Sequence, residues 1–328
     1  MEQVSVANNR QIPIVCPGHS RPLANVHYSN ITPDGVFLVS GCLDKLPMLR
    51  RGDNGDWIGT FDGHKGAVWS AKIDKDATMV ATGAADFSAK LWDAITGDEK
   101  HSFNHRHIVK AVEFSPDRSH LATGGQEGIL RIFDLSQPES DPLMITQPSE
   151  SSSKVQISKV EYGQGSDFIA TGASDGGVRL WDVRSGEMTL EANVSDLVMD
   201  MELSQDGSTL TVAAGNKVHF INSSTLEIEK SFEMPVHFRE EGGASLHPNG
   251  AKFIAGGSDL WVRVFDANSG EELECHKGHH GPVRCLRYSP DGNSYATGSE
   301  DGTIRIWQTD MNLGETGNED DQGDSEKS

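Results

Sequence analysis

Residues 275–280 read CHKGHH, so Cys275, His276, His279 and His280 crowd six positions, with Cys285 shortly after. Thiolate sulfur and imidazole nitrogen are ligand types that zinc accepts, and the stretch reads first as a candidate metal site. A second candidate is Gly172-Ala173-Ser174-Asp175-Gly176, which satisfies the GxSxG pattern of a nucleophilic serine. That chemistry requires a strand-to-helix turn that lifts the serine oxygen clear of the sheet. The chain contains no GxxxxGK[ST] phosphate loop and no HExxH pair.

Both candidates dissolve into an internal repeat. GHHGPVRCLRYSPDGNSYATGSEDGTIRIWQ at 278–308 aligns without a gap on GHKGAVWSAKIDKDATMVATGAADFSAKLWD at 63–93. His279 then falls on His64, Thr297 on Thr82, Asp301 on Asp86 and Trp307 on Trp92. A histidine that recurs with its neighbours is a repeated structural element rather than a solitary ligand, so the reading is no metal and no cofactor. The turn holding Ser174 has counterparts GAADF, GGQEG and GSEDG in other copies, which makes the serine one filling of a hairpin turn and catalysis unexpected. Weaker copies end in LRIFD at 130–134, VRLWD at 178–182, HFIN at 219–222 and VRVFD at 262–266, and the first copy ends in PMLRR at 47–51. The tryptophan-equivalent positions are Arg50, Trp92, Phe133, Trp181, Ile221, Phe265 and Trp307, which gives seven repeats.

Each copy carries short apolar segments of period two, punctuated by turns such as SPDG, and the 35 glycines recur along the chain, so the fold class is all-β. Four short strands per copy, with GH opening and WD closing the motif, resemble the WD-repeat β-propeller family over roughly residues 10–308. The resemblance implies one seven-bladed propeller over 1–310 and an acidic disordered tail over 311–328. IPIVCPGHSRPL at 12–23 matches a fourth strand without its first three, and in the family such an orphan completes the last blade. Ile12 to Cys16 is therefore expected beside Thr303 to Trp307. The resemblance also implies a buried hydrogen-bond network of His64, Thr82, Asp86 and Trp92, and another of His279, Thr297, Asp301 and Trp307.

Other copies depart from that pattern at Arg50, Phe133, Ile221 and Phe265, and Ser153 and Val194 stand where histidine is expected. Those blades are expected to rely on apolar packing, and AAGNK at 213–217 is a poor match to the usual turn. SQPESDPLMITQPSESSSK at 136–154 reads as an exposed loop between the third and fourth blades, a place where phosphorylation is conceivable but loop variation is the plainer reading.

The formal charge of −21 disfavours direct binding to phosphate backbones or anionic membranes. No apolar run has the length of a membrane span, the start MEQVSVANNRQ lacks a signal-peptide profile, and four cysteines without CxxC spacing read as reduced thiols. A soluble protein of cytoplasm and nucleus is expected. GDWIGTF at 55–61 and AADFSAKLWDA at 84–94 resemble one branch of the propeller family more specifically than GH and WD do. That branch implies a non-enzymatic scaffold, an adaptor of the survival-of-motor-neuron complex in assembling spliceosomal small nuclear ribonucleoproteins. It further implies messenger-RNA regulation through an unr-type RNA-binding protein, and restraint of transforming growth factor β signalling through a receptor kinase. The rival readings are a WD-repeat subunit of a translation initiation factor and, from another class, a propeller hydrolase using Ser174.

In this family the residue five past the GH histidine tends to emerge on the face around the central channel. Applied here, that offset selects Ala24, Trp69, Lys110, Ser158, Met199, Gly242 and Arg284. Trp69, Lys110, Met199 and Arg284 are the expected partner-binding residues, because large aromatic, basic and thioether side chains anchor interfaces. The competing reading of Trp69 packs it between blades two and three.

Overall fold

The computed structural model describes residues 11–147, 154–238 and 242–309. Short alternating segments joined by Asp/Gly turns can only pair as antiparallel hairpins, and they form seven antiparallel sheets arranged as a propeller. Blade two shows the plan. Val68–Ile73, Met79–Ala84, Ser88–Asp93 and Glu99–Asn104 follow one another from axis to rim; the first three are mostly buried and the outermost is largely exposed. The core lies between blades, as where Val39 and Leu49 of blade one pack on Ala71, Val80 and Trp92 of blade two.

The chain's beginning closes the ring. Ile14–Cys16 pairs antiparallel with Ile304–Gln308, in the register Ile14 to Ile306, Val15 to Arg305 and Cys16 to Ile304. The closing strand is two residues shorter than expected at its start, since Ile12 is 93% exposed. Cys16 is buried in the cluster that joins blade seven to blade one, with Leu23, Leu38, Ile304 and Ile306.

Blade five departs most from the plan. Its second and third strands run together as Thr209–Asn222, yet the Ser223 N–H donates to Ser208 O at 2.9 Å, so the chain doubles back between them. The turn falls at Gly215, whose φ of 59° lies in the left-handed region that glycine adopts without a Cβ penalty. AAGNK thus makes a tighter version of the usual turn. The 136–154 segment also differs from expectation. It contains the outer strand of blade three, Leu143–Thr146, and Ile145 and Gln147 are buried. Residues 148–153, and with them Ser153, lie outside the described residues, as does the tail at 310–328.

In blades two and seven the repeated polar residues tie the entering loop to the second and third strands. In blade two the Trp92 Nε1–H donates to Thr82 Oγ1 at 2.8 Å, Thr82 Oγ1 lies 2.6 Å from His64 Nε2, and His64 Nδ1 lies 2.8 Å from Asp86 Oδ2. One tautomer satisfies the whole chain: indole to hydroxyl, hydroxyl to Nε2, and Nδ1–H to carboxylate. Asp86 also accepts from the Lys65 N–H, and although burial works against its charged form these bonds hold its carboxyl below the usual range. Blade seven repeats the set, with Trp307 to Thr297 at 2.9 Å, Thr297 to His279 at 2.8 Å and His279 to Asp301 at 3.2 Å.

The network reaches further than the sequence motif. Blade one keeps it as His19, Ser40 and Asp44, while the buried Arg50 replaces tryptophan and donates to the carbonyls of Pro17 and Gly55. In blade three His105 bonds Thr123 at 2.8 Å. In blade four Gln147 stands in the histidine's place. The Gln147 amide donates to Thr171 Oγ1 at 3.3 Å, and Thr171 also accepts from Trp181 at 2.9 Å. Apolar packing does carry blades five and six, where Phe253 stacks on Phe265 at 5.0 Å and meets Phe220 edge-on at 5.3 Å.

Deleting residues 1–16 removes the closing strand and is expected to lower the melting temperature by more than about 5 °C or to cause aggregation; a truncated chain that melts like the intact one contradicts the closure. His279→Ala takes from Thr297 and Asp301 their common partner and is expected to cost roughly 1–3 kcal/mol in denaturant unfolding. Stoichiometric zinc in the purified protein, lost in that variant, would overturn the structural role.

Candidate functional site

A backbone irregularity at the start of the innermost strands builds the mouth of the central channel. In six blades the register slips across one residue: between Leu23 and Asn25, Val68 and Ser70, Val109 and Ala111, Ile157 and Lys159, Val198 and Asp200, and Val283 and Cys285. A bulge leaves the extra residue unpaired and re-aims its side chain. The skipped residues are Ala24, Trp69, Lys110, Ser158, Met199 and Arg284. Blade six contributes Gly242, whose N–H donates to Arg284 O at 3.2 Å.

All seven positions line one cavity of about 400 Å³. Trp69 is half-buried there, with the Lys110 ammonium of blade three 3.1 Å from its ring centroid. The indole is thus both a wall of the mouth and a contact with the neighbouring blade. Burial, then the charges of Lys159 and Arg284, lower the Lys110 pKa to about 8. Met199 and Leu197 add apolar wall on the opposite arc. Ser158 is fixed from behind, donating to Val198 O at 2.6 Å.

The next inward-facing positions, absent from the sequence-based selection, supply the charge of the floor. Asp200 receives a bidentate pair from Arg287 at 2.7 and 2.8 Å and a third contact from Lys159 at 3.1 Å. Burial alone would raise its pKa, but these two cations hold it at about 2. Deeper in the channel the Lys72 ammonium bridges Glu113 and Glu161, the latter at 2.9 Å. Burial pushes the Glu113 carboxyl up despite Lys72, and pushes Glu202, 3.5 Å from Arg287, up to about 7. Lys72 lies on blade two and Glu161 on blade four, while Arg287 of blade seven reaches Asp200 of blade five, so ion pairs join non-adjacent blades around the axis.

Neither chemical candidate of the sequence has the geometry its chemistry needs. His276 bonds Glu274 at 3.0 Å and stacks on Trp307 at 5.3 Å, His279 belongs to the network of blade seven, and His280 is exposed. Among the described residues the ligand-type group close enough to share an ion is His19, Cys42 and Asp44, and its atoms are engaged in hydrogen bonds, His19 to Ser40 and Asp44, and the Cys42 thiol to Arg21 O at 3.1 Å. Ser174 sits at the wall of the mouth, in the turn between Phe168–Ala173 and Gly177–Asp182, and its hydroxyl accepts the Gln156 N–H at 3.0 Å. A turn between two strands is not the elbow that the GxSxG chemistry needs.

Comparison with known proteins follows the same outline. The WD domain, G-beta repeat family matches at residues 55–93, 97–134, 146–182 and 270–308. These are the copies ending at Trp92, Phe133, Trp181 and Trp307, whereas the unmatched copies end at Arg50, Ile221 and Phe265. The serine-threonine kinase receptor-associated protein of Gallus gallus is 48% identical over 92% of this chain and 83% of its own length. Its counterpart in Dictyostelium discoideum is 47% identical over 90% of this chain and 98% of its own length. Eukaryotic translation initiation factor 3 subunit I of Drosophila grimshawi is 30% identical over 91% of this chain and 97% of its own. With seven blades, the repeated polar networks and this near-complete alignment, the chain is a WD-repeat propeller scaffold that belongs to the family of the serine-threonine kinase receptor-associated protein.

Proposed function

We propose that the chain is a non-enzymatic adaptor that holds proteins at the mouth of its channel, and that its assembly is the survival-of-motor-neuron complex during small nuclear ribonucleoprotein assembly. The observation that carries this reading is the identity of 47–48% across nine-tenths of the chain to the receptor-associated branch of the propellers. Bulges that turn Trp69, Lys110, Met199 and Arg284 toward one cavity support the choice of face. The same branch motivates roles in messenger-RNA regulation through an unr-type protein and in restraint of transforming growth factor β signalling through a receptor kinase. It also motivates residence in cytoplasm and nucleus. An acidic surface of net charge −21 favours reaching RNA through protein partners over direct contact.

The 30% identity to translation initiation factor 3 subunit I favours a second reading, a subunit of that factor. Affinity purification of the tagged chain at its native level, with quantitative mass spectrometry, separates the two. Survival-of-motor-neuron proteins are expected in the eluate, and ribosomal subunits with other initiation-factor subunits would support the alternative. In the same experiment Trp69→Ala combined with Arg284→Glu is expected to weaken capture of at least one partner by about thirtyfold, a hot-spot effect of about 2 kcal/mol, while the melting temperature stays near wild type. Full capture of every partner by that variant would move the interface to the rim or the opposite face.

A further inference from the structure

The charge at the mouth is opposite to that of the rest of the molecule. Among the described residues lining the cavity the ionisable carboxylate and guanidinium or ammonium groups are Asp200 against Lys110, Lys159, Arg284 and Arg287, a formal sum of four minus one, or +3. The whole chain carries −21. Lys159 and Arg287 are committed to Asp200. Lys110 is not: its described neighbours are the Trp69 ring, 3.1 Å below the ammonium, and two further cations, Lys159 and Arg284. An ammonium held by an indole and facing like charges gains most from an incoming carboxylate, which restores the solvation that burial removed.

We propose that the mouth is a receptor for an acidic protein segment that places an Asp or Glu carboxylate against Lys110 and an adjacent apolar side chain against Trp69, Met199 and Leu197. The cavity of about 400 Å³ takes one or two side chains, which suits a short linear segment rather than a folded surface. Charge decides between the two polyanionic classes. A nucleic acid brings a phosphate at every nucleotide and meets the repulsion of the whole acidic chain, whereas a short segment brings its charge only where the cations stand. The apolar wall completes the match, since it offers nothing to a phosphate and a dry seat to a Leu, Ile, Met or Phe.

The test uses the full chain and a displayed library of random peptides of roughly twelve residues, a length typical of groove-bound segments. Enriched sequences are expected to place Asp or Glu beside an apolar residue. The corresponding synthetic peptides are expected to bind Lys110→Glu at least about tenfold more weakly than wild type, to bind Lys110→Arg nearly as well as wild type, and to weaken with added salt. If Lys110→Glu does not fold, Lys110→Gln, with thermal melting as the check, serves the same comparison. Enrichment of acid-free peptides, equal binding to Lys110→Glu, or failure to enrich any peptide overturns the proposal. So does tighter binding of single-stranded oligouridine that depends on Lys110, which would assign the mouth to nucleic acid. The proposal rests on the mouth being the partner site, but the two fail separately: acid-free peptides leave partner capture intact, and undiminished capture by mouth variants leaves peptide binding at Lys110 intact.

Discussion

A ring of seven sheets that must close imposes one constraint from which the remaining features descend. A sheet left open at blade seven would expose the edge of Ile304–Gln308, and the three-residue strand Ile14–Cys16 removes that edge by pairing along it. The same strand brings Cys16 under Gly55, where no side chain fits because a Cβ would meet the sulfur at 2.3 Å. Closure thus joins the first and last blades through the seat of the Cys16 sulfur on Gly55 as well as through the apolar cluster of Leu23, Leu38 and Ile304. Without it the first strands of the seven blades have no fixed arrangement around an axis, and there is no mouth.

Closure has an electrostatic consequence. It packs the inner strands so closely that residues from non-adjacent blades meet around the axis, as Lys72 meets Glu161 and Arg287 meets Asp200. Charges removed from water in this way are tolerable only when paired, and breaking one pair leaves the other group buried alone. The pairing is not fully balanced, for burial raises the Glu202 carboxyl to about 7 even with Arg287 beside it. The ion pairs therefore act less as a source of net stability than as a fixed floor, which holds the cations of the mouth at defined positions.

Much of this was legible in the sequence, and the reasons are local. Gap-free alignment of 278–308 on 63–93 carries the blade plan and both complete networks, because His64, Thr82, Asp86 and Trp92 lie within one repeat. The offset rule selects seven residues that all line the mouth, six of them because the bulge sits at the same place in their blades. What escaped depends on contacts that repeats do not encode. Gln147 was missed because the extra residues between it and Ile157 shift the count, so Ser153 was aligned instead. The outer strand Leu143–Thr146 was hidden in a segment whose Pro and Ser content reads as loop. Arg50 reads as a defect in the motif but stands buried and bonded to the carbonyls of Pro17 and Gly55. The pairs between non-adjacent blades join residues 87 and 89 positions apart, a separation at which periodicity says nothing.

The arrangement suits a scaffold: closure fixes the ring, bulges in six blades turn one residue each toward the mouth, and ion pairs between distant blades hold the floor. Every step depends on the closing strand being part of the cooperative core. Hydrogen exchange by mass spectrometry on the intact chain measures that directly. The amides of Ile14–Cys16 that bond to Ile304–Gln308 are expected to be released only on global unfolding, together with those of Ser294–Ser299 in the middle of the same sheet. Rapid exchange of those paired amides while Ser294–Ser299 stays protected would show that the ring does not depend on its closing strand.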